Sequence, residues 1–216
     1  MKTNPEYYFK KINEFPFPKI FETKTVWDIL ETKNKILSEF KETKIKGTLG
    51  KNVFFENIVI VEEGAKILHN SVIEGPVYIG KNSIIGPNAY IRKNTMVGNN
   101  CKIGCGEVKG SIFMNNARAD HSGYIGDSVL GDSCHVGAGV VTANLRFDKK
   151  EIFDGVKKFG AVFGDNTEIG SNSTILPGTL IGSNVWIYPG AIVKNFVPEN
   201  SILKYKPVSE IIKKNK

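Results

Sequence analysis

Aliphatic side chains recur at every sixth residue through the middle of the chain: Ile67, Ile73, Ile79, Ile85, Ile91, Val97 and Ile103. The step returns at Leu130 and Val136, and again at Phe163, Ile169, Ile175, Ile181, Ile187 and Val193. A helix repeats every ~3.6 residues and a strand about every two, so neither alone produces this period. A short strand followed by a corner does. Gly follows the aliphatic residue at 80, 86, 98, 104, 131, 137, 164, 170 and 182. Three positions after it stands Asn or Gly, as at Asn82, Asn88, Asn94, Asn100, Gly106, Gly139, Asn166, Asn172, Gly178, Asn184 and Gly190. These residue types best tolerate a left-handed backbone. Four positions after it comes a small side chain, such as Ser83, Ala89, Thr95, Cys101, Thr167 or Ser173. Three strand-and-corner edges close a triangular coil of about 18 residues, and coils stack at roughly 4.8 Å. The pattern predicts an all-β chain built as a parallel β-helix. A β-sandwich would place its strands at irregular spacing.

The flanks lack the period. In residues 1–45, Val26, Trp27, Ile29, Leu30, Ile36, Leu37 and Phe40 make a helical stripe. The extended segment Phe15-Pro16-Phe17-Pro18 precedes it. Three parts are expected: an N-terminal helical extension (1–45), the β-helix domain (46–203), and a basic C-terminal tail (204–216). Residues 46–66 should begin the first coil irregularly, and Val208 to Lys213 should form a short C-terminal helix. The repeat is interrupted twice: it blurs from Glu107 to Tyr124 and vanishes in an inserted loop, 142–162. Insertions in solenoids form loops, and loops carry function. This loop holds Arg146, Lys149, Lys150, Lys157 and Lys158 against Asp148, Glu151 and Asp154. A net basic loop suits a phosphate, although the same charge fits a merely solvated loop.

Charge narrows the partners. The 29 basic and 22 acidic side chains give +7 over 216 residues. Residues 1–50 hold 10 basic and 7 acidic groups, and residues 204–216 hold 5 and 1. The repeat between them is neutral, so the excess is no sign of nucleic-acid binding, and no nucleic-acid module is present. Three Cys, an odd number, make no disulfide framework. No apolar run reaches the roughly 18 residues that a membrane span needs. The polar start MKTNPEYYFKK has no signal-peptide core. A cytoplasmic location is expected.

His121 lies in Arg118-Ala119-Asp120-His121-Ser122-Gly123-Tyr124, just before the frame resumes. From there it can face the groove where the loop departs. Imidazole is a suitable base at neutral pH.

The hexad pattern resembles that of the hexapeptide-repeat acyltransferases. The stretch His121-Ser-Gly-Tyr124-Ile-Gly-Asp-Ser-Val-Leu-Gly-Asp-Ser-Cys-His135-Val-Gly-Ala138-Gly-Val-Val-Thr-Ala-Asn144 resembles a narrower group. That group is the acetyltransferase half of the bifunctional N-acetylglucosamine-1-phosphate uridylyltransferase/glucosamine-1-phosphate acetyltransferases. Ala143-Asn144-Leu145-Arg146-Phe147-Asp148 is similar to their archaeal branch. The resemblance implies a left-handed β-helix working as a homotrimer. It implies transfer of acetyl from acetyl-CoA to an amino-sugar phosphate or nucleotide-linked amino sugar, in UDP-N-acetylglucosamine biosynthesis. It implies His121 as general base, with Arg92, Lys109, Tyr124, His135, Asn144 and Lys150 on the sugar phosphate. It implies Ala138, Ser171, Tyr188 and Lys204 along acetyl-CoA, and no metal. His135 stands where the family usually has Asn, and Leu145 where it often has Tyr. The nucleotidyltransferase half has no counterpart in this sequence, although Thr25-Val26-Trp27-Asp28-Ile29-Leu30 resembles the linker that joins the halves.

Two other readings compete. One is a non-catalytic module that binds a sugar nucleotide. The other is a zinc-dependent γ-type carbonic anhydrase on the same fold. Zinc of that type needs His on adjacent strands. His69 lies 52 residues before His121, nearly three coils at about 4.8 Å each.

Overall fold

A computed structural model describes residues 2–211. The chain winds as a left-handed parallel β-helix. Its three flat faces are sheets of nine, nine and eight short strands. The chain visits the faces in turn. Face 1 includes Val77–Ile79, face 2 Ile84–Ile85 and face 3 Tyr90–Ile91.

The six-residue aliphatics point inward. Ile67, Ile73, Ile79, Ile85, Ile91, Val97 and Ile103 are all buried, in one continuous core. Each such side chain contributes about 1.5–3 kcal/mol by leaving water. The small corner residues are buried with them and link the coils: Ser83 Oγ donates to Gly98 O at 2.7 Å and accepts from Cys101 N at 2.9 Å. Corner Asn residues adopt positive φ, for instance 58° at Asn82 and 57° at Asn172. The glycine after each aliphatic residue serves another purpose. At Gly131 and Gly164 a Cβ would stand 2.6 Å from backbone atoms of the next coil, so close approach, not turn geometry, requires glycine there.

The structure gives physical form to two expectations about the frame. The first coil starts out of step, as expected: Lys44–Ile45, Thr48–Leu49 and Phe54–Glu56 all pair in parallel with the coil above, but Lys44 meets Ile60, 16 residues on instead of 18. Val61 is fully buried, and Phe55 and Val61 continue the six-residue step upstream. Strands also persist through 107–124. The blur is a shortening of coils, because Val97 pairs with Phe113 and Val108 with Ile125. These offsets are 16 and 17 residues instead of 18, absorbed at corners while the strands stay aligned.

The N-terminal segment covers face 1. Outward-facing Tyr78, Met96, Ile112, Val129, Val162 and Leu180 are buried beneath Tyr8, Phe9, Phe21, Val26, Ile29 and Leu37. The helix is shorter than the stripe suggested, Ile29–Ser38, and Val26 and Trp27 lie in turns before it. At 10 residues it is marginal alone and relies on this packing. Polar straps complete the cover. Lys10 N donates to Asp165 Oδ2 at 2.7 Å, and Lys11 pairs with the buried Asp132 at 2.8 Å. At the other end, residues 208–211 are not helical. Val208 and Ile211 are fully exposed, so no packing holds so short a helix. The rest of that expected helix, 212–213, lies outside the described residues.

Candidate functional site

Face 3 and its two edges carry most of the residues singled out by sequence. The edge shared with face 2 carries His121, Ala138, Ser171, Tyr188 and Lys204. Backbone hydrogen bonds align its corners coil by coil: Gly139 N donates to Ser122 O at 2.7 Å, Asn172 N to Ala138 O at 2.7 Å and Gly190 N to Ser171 O at 2.9 Å. His121 and Ser122 are exposed, and Ala138 and Ser171 half-buried. The Lys204 ammonium lies 6.0 Å from the centre of the exposed Tyr188 ring. His121 also borders a small cleft with Glu107, Ser122 and Gly137.

Face 3 itself and its other edge carry a polar network. Ile91 pairs with Val108, which sets Arg92 and Lys109 side by side on consecutive coils. Arg92 Nη1 donates to Glu107 Oε1 at 2.8 Å, and its Nε lies 3.8 Å from Glu74. That Nε is buried without a hydrogen-bond partner. Glu107 holds the Arg92 guanidinium above its ordinary pKa. Lys109 Nζ pairs with Asp127 at 3.0 Å. Asn144 Nδ2 donates to Asp127 Oδ2 at 2.5 Å and to the Tyr124 hydroxyl at 3.3 Å. Burial, then the nearby Asp127, push the Tyr124 phenol up.

Arg92, Lys109, Tyr124 and Asn144 are thus brought together. His135 and Lys150 are not in that cluster. His135 projects from face 2, where its Nδ1 meets Glu168 Oε2 at 2.8 Å. Lys150 is exposed on the loop, and its backbone N–H donates to Asp148 Oδ1 at 3.1 Å. Nor does His121 face the departing loop. The loop leaves from the edge shared by faces 3 and 1, after Val141–Thr142, and His121 occupies the opposite edge. The coil order explains this: a side chain in a corner belongs to one edge for every turn.

Sequence reasoning missed Asp127, Glu107 and Glu74, which hold the cations. It also missed Lys33, fully buried beside this network, whose Nζ donates to Gly110 O at 2.6 Å. A signal existed: Lys33 stands at helical spacing from Ile29, Leu30 and Leu37, on the stripe that faces inward. Burial pulls its ammonium down to about 7, Asp127 opposing and Lys109 assisting. Among the described residues no group of three or more His, Cys, Asp or Glu is arranged to hold a metal. No helix among them is long and apolar enough to cross a membrane.

The family model of the GMPPB C-terminal domain matches residues 73–216. The bifunctional protein GlmU of Methanococcus aeolicus is 43% identical over 196 residues, covering 87% of this chain and 47% of that protein. A bifunctional sugar-1-phosphate nucleotidylyltransferase/acetyltransferase of Sulfurisphaera tokodaii is 41% identical over 162 residues, covering 70% and 40%. The chain spans about half the length of these relatives. Solved structures are more distant. An Arabidopsis UDP-N-acetylglucosamine acyltransferase is 13% identical with a TM-score of 0.40, covering 74% of this chain and 68% of that one.

Proposed function

The chain belongs to the GMPPB C-terminal domain family, and from that premise we propose that it is an acetyl-CoA-dependent N-acetyltransferase. Its acceptor is an amino-sugar phosphate or a nucleotide-linked amino sugar. The observation that carries the reading is the alignment of His121, Ala138 and Ser171 on one edge of successive coils, across face 3 from the Arg92–Lys109 pair. A pantetheine arm laid along that edge brings its thioester toward His121. The sugar phosphate reaches the cations, with Tyr124 and Asn144 on the sugar and Lys150 entering from the loop.

His121 takes a proton from the neutral acceptor amine as the amine nitrogen attacks the thioester carbonyl. The C–N bond forms, the C–S bond breaks, and CoA leaves as a thiol once the proton is returned. Holding both substrates on one rigid face supplies the orientation that makes such a step fast, and the base adds about 10²- to 10⁴-fold. Tyr188 and Lys204 serve the CoA end, where a cation suits its phosphates.

A homotrimer is part of the proposal. His135 and His121 lie on different faces or edges of one coil stack, so a shared site needs a neighbouring subunit. Exposed Trp186 on face 2 and Ile192 on face 3, 57% and 65% accessible, suit such an interface. The protein is read as cytoplasmic, with no nucleic acid, membrane or metal in the reaction.

A second reading, sugar-nucleotide binding without turnover, draws on one observation: Arg92 and Lys109 are already paired with carboxylates of the same chain. The deciding assay mixes the purified protein with acetyl-CoA and glucosamine-1-phosphate and follows CoA release by thiol titration. Turnover that disappears in His121→Ala supports the transferase. Background release with intact sugar-nucleotide binding by calorimetry supports the binding module instead.

A further inference from the structure

A cavity of about 470 Å³ opens where the N-terminal helix, the edge between faces 3 and 1, and the inserted loop meet. Its size falls within the roughly 300–1,000 Å³ of small-molecule sites. Five lysines line it: Lys33 from the helix, Lys93 and Lys109 from consecutive coils, and Lys157 and Lys158 from the loop. Only two carboxylates join them, Glu31 and Asp127. Glu31 is engaged outside the cavity, with Lys35 at 2.8 Å, and Asp127 offsets one of the five lysines, Lys109, at 3.0 Å. Lys33, Lys93, Lys157 and Lys158 have no carboxylate partner among the described residues. Lys33 is the decisive member. It is 1% exposed, and its only hydrogen bond among the described residues is to a neutral carbonyl. The carboxylate that faces it, Asp127, is already paired with Lys109; a buried cation so weakly compensated is costly, and that cost is relieved by an anion in the cavity. Trp27 and Phe159 supply an apolar wall, and Asn34 and Asn94 supply amides.

We propose that this cavity is a binding site for a small molecule carrying a phosphate dianion or a diphosphate, adjoining the acetyl-transfer surface on face 3 with Lys109 and Asp127 at the boundary. Lys33 and Lys93 meet the phosphate from below, and Lys157 and Lys158 close over it from the loop. Three independent segments contribute to one charge cluster, which a solvated basic loop does not require. Lys109 lines both sites, but Arg92 and Lys150 do not line the cavity, and Lys33, Lys93, Lys157 and Lys158 line only the cavity, so substitutions at these unshared residues distinguish the two.

The test is calorimetric titration of the full chain at low salt with inorganic pyrophosphate, and in parallel with UDP. Binding of either is expected, weakening with added salt, and falling about tenfold or more in the Lys157→Ala/Lys158→Ala double variant and in Lys93→Ala. Equal affinity for both probes identifies the phosphates as the recognised group; tighter UDP identifies a nucleotide whose base uses the Trp27 wall. Arg92→Ala should leave this binding unchanged. No binding, or binding lost in Arg92→Ala but retained in the loop double variant, overturns the proposal. These loop lysines are exposed, so their variants fold even where Lys33→Met does not. The readout is heat of binding without acetyl-CoA, so it is unaffected if acetyl transfer is absent.

Discussion

The indole of Trp27 lies flat against the ring of Phe153, their centroids 4.1 Å apart and their planes 10° from parallel. Phe153 in turn meets Phe159 edge-on at 5.3 Å. The N-terminal extension thereby holds the inserted loop against the coil stack. The loop, which has only two isolated antiparallel bridges of its own, Leu145 with Lys158 and Phe153 with Val156, depends on that clamp.

Phe153→Ala should release the loop without unwinding the coils. The aromatic pair is worth about 0.5–1.5 kcal/mol beyond the area it buries. Hydrogen exchange at residues 145–158 should accelerate while the strand amides stay protected. Unchanged exchange in the loop would show that other contacts hold it.

His121→Ala should lower CoA release by about 10²- to 10⁴-fold and leave the melting temperature within a degree or two, because the side chain is exposed. A variant that turns over like the parent removes His121 from the chemistry.

Gly104→Ala should perturb the same corner by a different route. A Cβ there would run into the carbonyl of Asp120 and lie 3.1 Å from His121 N. Backbone of the next coil cannot give way cheaply, so stability should fall by about 1–3 kcal/mol, and turnover should fall with it. Thermal unfolding and CoA release on one sample check both. A neutral result would mean the coil spacing is softer than the packing implies.

Lys33 should make stability depend on pH in the alkaline direction. Its folded pKa is lowered from 10.5 to about 7, so between these values the unfolded chain binds more protons than the native one. Stability from this group therefore rises as pH increases from about 7 toward 10.5, by at most about 1.4 kcal/mol per unit. Lys33→Met should abolish that rise and be relatively more stable at pH 7 and below. The groups facing Lys33 are Asp127 and Lys109, with Glu31, Lys93, Lys157 and Lys158 around the cavity. Denaturant unfolding of both proteins across pH 6 to 10 gives the comparison, and parallel curves would refute the assignment.

Coils, corners and core were legible in the sequence because each depends on residues within six positions of one another. Ile67 through Ile103 declare the frame, and Asn82 or Asn172 declares the corner, with no knowledge of the rest of the chain. The cover over face 1 was only half legible. Tyr78, Met96 and Leu180 are apolar beside an inward neighbour, but nothing local says what lies on them. Tertiary structure alone decided that Lys33 meets Gly110, that Trp27 stacks on Phe153, and that His121 and the loop lie on opposite edges of face 3. Those contacts join segments far apart in the chain, and one of the two is always outside the repeat. A period constrains neighbours in the coil; where a non-repeating segment docks is set by shape, burial and charge across the assembled surface.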